Sequence, residues 1–251
     1  MESFEEFIRG KRVVVVGPAP SIVHSRQREY IDGFDVIVRI NKAVPIPETL
    51  HDDIGTRTDV LYNCLNTHEE NGGALVPDQL SREGVKYVRC PYPNIKPFKK
   101  DIMQARQLQW GSIDLSSVDT AVYTTWQSAM NCRPNSGIGA ILDLLQHPIH
   151  QLYITGFTFF KGGYYSAYRP LNEQQVMRRM DKAGNHNQKS QLRYMKARLK
   201  SDSRVLMDDA LQEIIDGKVK LCTERPSRSH RKTQSSVKTR CRIGRSRIRR
   251  K

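Results

Sequence analysis

No stretch of this 251-residue chain holds about 18 consecutive apolar residues, the length a helix needs to cross a bilayer. No membrane-spanning helix is therefore encoded. Cysteine is sparse, with five residues at positions 64, 90, 132, 222 and 241, and none of the spacings is Cys-x-x-Cys or another metal-ligand pattern. The opening segment MESFEEFIRGKR has no apolar leader core. An odd cysteine count without such a leader leads us to expect free thiols in the cytoplasm or another reducing compartment. The Gly-x-Gly-x-x-Gly spacing of dinucleotide oxidoreductases is missing, because Gly17 is followed by no second glycine before Ser21. A methyltransferase would want glycines there and a carboxylate after the second strand, where Arg39 and Asn41 stand. Acidic residues are absent from residues 225–251, which carry twelve Lys/Arg. The whole-chain charge of +15 thus misleads: the rest of the chain holds 29 basic against 26 acidic residues, or +3. We expect one globular domain over residues 1–222 and a basic tail over 223–251 that is disordered when free.

What is present is a repeated step from strand to turn. Val13 to Val16 run into Gly17-Pro18-Ala19-Pro20-Ser21. A short β-branched run ending in a turn reads as a buried strand of a parallel sheet. Gly17 permits the tight turn, Pro20 starts a helix, and Ser21 could cap that helix or meet a phosphate. A second run at 34–38 leads to Arg39-Ile40-Asn41, placing a guanidinium and an amide at the next strand's end. In open α/β sheets ligands bind at that edge, and such groups suit a phosphorylated or sugar-like ligand.

Further strands are expected at 60–62, 85–88, 121–123, 151–155 and 204–206. Helices are expected at 101–110, 137–146, 188–200 and 208–215, with loops at 66–78 and 158–185, the latter holding some helix near 173–181. The alternation predicts a Rossmann-like three-layer α/β/α sandwich with a mainly parallel sheet. A second helix start, Pro134-Asn135-Ser136-Gly137, offers free amides and a hydroxyl to an anion, although Asn and Ser are also ordinary caps.

The ordered set resembles the sialyltransferases of glycosyltransferase family 29. Gly17 to Ser21, Asp35-x-x-x-Arg39-x-Asn41 and Gly55-Thr56-Arg57-Thr58 are similar to that family's large sialylmotif. Asn135-Ser136-Gly137, then a helix, then Thr155-Gly156-Phe157, is similar to its small one. Gly163-Tyr164-Tyr165 matches the aromatic middle of its third motif, and His186 the histidine of its last. The resemblance implies a variant GT-A-like fold and transfer of sialic acid from CMP-sialic acid to a glycan hydroxyl, with inversion and no metal or other cofactor. It implies His186 as general base, with Gln191, in the place of the family's glutamate, orienting the imidazole. It implies donor contacts from Gly17, Ser21, Asn41, Asn135, Ser136, Gly137, Gly156, Tyr164 and Tyr165. Pro18 stands where the family has an asparagine, and Arg12-Val13 where it has the first cysteine of its disulfide. No Asp-x-Asp element of metal-dependent glycosyltransferases occurs. The alternatives are a transferase for another nucleotide sugar, or a protein that binds nucleic acid, another polyanion or anionic membrane through residues 225–251.

Overall fold

Four valines in succession can all be buried only in a sheet covered on both faces. The computed structural model, which describes residues 2–219 and 221, shows this arrangement. Val13 and Val15 enter one hydrophobic core while Val14 and Val16 enter a second. The strands are β1 (Arg12–Val16), β2 (Val36–Ile40), β3 (Val60–Tyr62), β4 (Tyr87–Cys90), β5 (Asp114–Ser117), β6 (Gln151–Thr155) and β7 (Val205–Met207). They form one sheet in the order β5-β4-β3-β2-β1-β6-β7, with every pairing parallel. The helices are α1 (Phe4–Ile8), α2 (Arg28–Asp32), α3 (His51–Ile54), α4 (Pro77–Arg82), α5 (Lys99–Arg106), α6 (Thr120–Met130), α7 (Ser136–Leu144), α8 (Glu173–Ala183), α9 (Gln188–Ser201) and α10 (Asp209–Asp216). Residues of α5, α6, α7, α9 and α10 fill the larger core, and residues of α2 and α3 the smaller. The predicted three-layer α/β architecture is therefore present.

Local expectations fail where tertiary context overrides pattern. Residues 121–123 are not a strand but the first turn of α6. Asp119 caps it, its carboxylate accepting from the Ala121 and Val122 amides at 2.8 and 3.1 Å. Tyr123, Trp126 and Met130 recur at helical spacing on its buried side. The edge strand β5 reads Asp-Leu-Ser-Ser and is only half-buried, so it carries no apolar run to betray it. The segment 66–78, expected to be loop, ends in the start of α4 at Pro77. Strands 34–38 and 85–88 lie two residues later, at Val36–Ile40 and Tyr87–Cys90. The basic segment 225–251 lies outside the described residues.

The large-motif residues mainly hold β2 in place. Arg39 is fully buried on the smaller-core side of the sheet. Its Nε donates to Thr58 Oγ1 at 3.0 Å, and one terminal nitrogen donates to the Ile54 and Arg57 carbonyls at 2.7 and 3.1 Å. Among the described residues no carboxylate pairs with it, and burial pushes its pKa down to about 10. Asp32 accepts the Thr56 amide and hydroxyl at 3.0 and 3.1 Å. A Cβ on Gly55 (φ 74°) would lie 2.4 Å from that carboxylate. The Gly-Thr-Arg-Thr segment is thus a backbone clamp around the Arg39 guanidinium.

Replacing Arg39 with Met should leave three acceptors unsatisfied in the interior. We expect a loss of about 3 kcal/mol or more in urea unfolding, the scale of hydrogen bonds to a buried charged group. A loss under about 1 kcal/mol would show that the clamp holds without its guanidinium.

Candidate functional site

The sheet order places a crevice where β1 sends the chain to β2 on one side and meets β6 on the other. Such a switch point opens at the carboxyl ends of the strands. The backbones there touch. A Cβ on Gly17 would come within 2.3 Å of the Gly156 carbonyl oxygen, and one on Gly156 within 2.4 Å of the Gly17 carbonyl oxygen. The Phe157 ring sits between two glycines, 2.7 Å from where a Gly17 Cβ would stand and 2.6 Å from a Gly137 Cβ. This contact brings the amino end of α7 down onto the sheet edge.

Over that edge lies a cleft of about 890 Å³. It gathers Asn41, Asn135, Ser136, Gly137, Gly156, Tyr164 and His186 from the sequence-derived set. It does not gather the rest. Gly17 lies beneath the cleft, with its space filled by Gly156 and Phe157. Ser21 is exposed on a turn that makes no side-chain cap. Tyr165 is buried in the smaller core and does not line the cleft, whereas Tyr168, four residues after Tyr164, packs in that core and lines the cleft as well.

Asn41 adopts a left-handed φ of 52° at the tip of β2. Its amide donates to the Tyr62 carbonyl at 2.7 Å, and its Oδ1 accepts from the Cys64 amide at 3.0 Å. The side-chain amide nitrogen remains to serve the Tyr168 hydroxyl. Asn135 is the cap of α7, accepting from Ile138 N at 2.9 Å. Ser136 therefore does not cap the helix. Its hydroxyl lies 3.4 Å from the Tyr92 hydroxyl, and the Ser136 and Gly137 amides are left as donors of the first turn.

His186 is fixed by the chain that runs into α9. Its Nδ1 lies 2.7 Å from the Arg133 carbonyl, which can only accept. The proton therefore sits on Nδ1, and Nε2 keeps its lone pair. Burial, reinforced by the Arg133 charge and opposed by that hydrogen bond, lowers its pKa from 6.5 to about 4. The imidazole is neutral at physiological pH. Gln191 does not orient it, contrary to expectation. The Gln191 side chain is fully buried, accepts from the Asn135 amide at 2.9 Å and donates to the Asn187 carbonyl at 3.3 Å. Together with the Arg133 amide bonded to the Asn185 carbonyl at 3.0 Å, it ties the start of α7 to the start of α9.

Two arginines in the cleft had no assigned role in the sequence reading. The Arg133 guanidinium lies over the Tyr92 and Phe98 rings, 5.5 Å from each centroid. The Arg169 guanidinium lies over Tyr164 and Tyr168, at 5.6 and 5.4 Å. In each, Nε is buried without a hydrogen-bond partner. The signal for Arg133 was a cation directly before a helix start suited to anions. For Tyr168-Arg169 it was the four-residue spacing from Tyr164. Burial also raises the Tyr164 and Tyr168 hydroxyl pKa values, keeping both protonated as donors at neutral pH.

Gln191→Leu should free the Asn135 amide and lower stability by about 1–3 kcal/mol, with Gln191→Glu failing to restore it because the donor to Asn187 is lost. Denaturant unfolding of both variants checks this, and full stability in the glutamate variant would contradict it. The depressed pKa of His186 has its own signature. Its contribution is complete above pH 6.5 and declines as pH falls towards 4, because the unfolded chain binds the proton first. His186→Asn should flatten the pH dependence of unfolding in that window, whereas an unchanged slope would place the titration elsewhere.

The sequence matches no family model, and no curated protein matches it. Solved structures do. A mammalian sialyltransferase in complex with Gal-β-1-3GalNAc-ortho-nitrophenol is 16% identical, with 79% of this chain and 69% of that chain covered and a TM-score of 0.50. The sialyltransferase CstII from Campylobacter jejuni, in complex with cytidine-5'-monophosphate, is 12% identical, with 82% and 84% covered and a TM-score of 0.54. This chain has a sialyltransferase-like α/β fold.

Proposed function

We propose that the cleft transfers sialic acid from CMP-sialic acid to the hydroxyl of a glycan, with inversion and without a metal. One observation carries the reading. A histidine held neutral, with no partner at its Nε2 among the described residues, shares one cleft with two guanidinium groups whose Nε donors have none there either. A base and a set of anion donors are the two elements that displacement of a nucleotide by a hydroxyl requires. Two separate cations favour a donor with two anionic groups, as a phosphodiester-linked acidic sugar has, over a neutral nucleotide sugar. The fold neighbours were crystallised with cytidine monophosphate and with a disaccharide, in keeping with this reading.

In the proposed reaction the acceptor hydroxyl gives its proton to His186 Nε2 as its oxygen bonds to the anomeric carbon. The bond from that carbon to the phosphate oxygen breaks, and the nucleotide leaves with the electron pair. The Tyr164 and Tyr168 hydroxyls, the Arg169 guanidinium and the amides of Ser136 and Gly137 are the donors available to the departing phosphate. The Arg133 carbonyl positions the base by accepting from its Nδ1, and the Arg133 guanidinium is the second cation available to the donor. A base with a pKa near 4 is weak but is unprotonated across the working range.

Calorimetry with the four nucleoside monophosphates should show cytidine monophosphate bound best. His186→Ala should keep that affinity and slow transfer by about 10²–10⁴-fold. The acid limb of kcat/KM in the parent should fall near pH 4 rather than 6.5. Equal affinity for all four nucleotides would remove the cytidine donor, and full-rate transfer by His186→Ala would remove the base.

A further inference from the structure

We infer that the outer face of α5 docks the protein on an anionic lipid surface beside the mouth of the cleft. Lys96, Lys99, Lys100 and Arg106 are exposed there. Among the described residues none of the four forms an ion pair. The helix's one carboxylate, Asp101, is half-buried and lies 3.4 Å from the Asn66 side-chain amide, turned towards the cleft that it lines. Among the described residues, no ion pair offsets the positive charge of this face.

Cations alone would suit any polyanion. Exposed apolar side chains narrow the choice, Met103 among the lysines and Leu108 just past the end of the helix. Met103 is 51% exposed and Leu108 37% exposed. Three of the lysines, Met103, Gln104 and Gln107 line one shallow groove of about 470 Å³. Basic groups interleaved with exposed apolar ones along a helix match the headgroup region of an anionic bilayer, where lysine stems and apolar side chains dip below the phosphates. The helix α9 provides a contrast. It is also rich in cations, but its Lys200 is paired with Asp216 at 2.9 Å and it exposes no large apolar side chain. The position matters as well. Pro97, Phe98 and Asp101, at the start of α5, line the cleft itself. A membrane under this face would hold the cleft opening next to lipid-borne molecules.

Lysine acetylation of the full chain, read by mass spectrometry, tests this with vesicles of phosphatidylcholine alone or mixed with phosphatidylserine. Lys96, Lys99 and Lys100 should be protected by the mixed vesicles only, while Lys189 and Lys200 on α9 stay reactive. Neutralising Lys99 and Lys100 together (K99Q/K100Q) should weaken vesicle binding by about fivefold per charge. Met103→Ser should weaken vesicle binding several-fold and leave heparin binding unchanged. Uniform protection of all surface lysines, or protection confined to lysines of the 225–251 segment, would overturn the inference. So would a Met103→Ser variant that binds vesicles as the parent does, which would assign the face to polyanions in general.

Discussion

Everything at the cleft depends on the absence of side chains at three glycines. Gly17 and Gly156 let the tips of β1 and β6 touch backbone to backbone, and Gly17 and Gly137 leave a slot that the Phe157 ring fills. The slot sets the height of α7 over the sheet edge. The cap residue Asn135 then meets Gln191, and the carbonyl of Arg133 meets His186. A chain of contacts thus runs from a packing constraint under the sheet tip to the protonation state of an imidazole. Adding one methyl group at Gly17 would collide with backbone and ring together, and neither can move without moving a strand.

Electrostatics in the cleft follow from the same arrangement. Burial and a neighbouring arginine keep His186 uncharged, while stacking on aromatic rings holds both guanidinium groups in place without neutralising them. Charge is therefore concentrated on groups that cannot lose a proton, and the group that must accept one stays neutral. A carboxylate beside the imidazole would reverse this by raising its pKa, and residue 191 carries an amide that faces the α7 backbone instead.

The sheet was legible because its strands are short apolar runs ending at turn residues, as at Val13–Val16 and Gln151–Thr155. The edge strand β5 and helix α6 were not. One is a polar edge with a single apolar residue, and the other begins with Ala-Val-Tyr, which reads as strand until Asp119 is seen to cap it. The site divided along a similar line. Positions whose role is set by backbone geometry, such as Asn41, Asn135 and Gly137, could be placed from their turns. Positions whose role depends on where a side chain turns could not. Tyr165 and Tyr168 both pack in the smaller core, and only Tyr168 also reaches the cleft. Gln191 lies in the first turn of α9, whereas His186 precedes the helix, and the Gln191 side chain faces another partner. Gly17, expected to permit a tight turn and to contact the donor, lies against Gly156 and Phe157. The large motif, read as ligand chemistry, is chiefly the clamp that buries Arg39.

The chemistry proposed for the cleft requires that His186 present a neutral imidazole with an open Nε2 to it. Nitrogen-15 NMR of the histidine-labelled protein tests it most directly. The expected spectrum is that of the Nδ1–H form at pH 7, with protonation of Nε2 only near pH 4. A His186 resonance that titrates at its ordinary value of 6.5, or carries its proton on Nε2 at neutral pH, would contradict it.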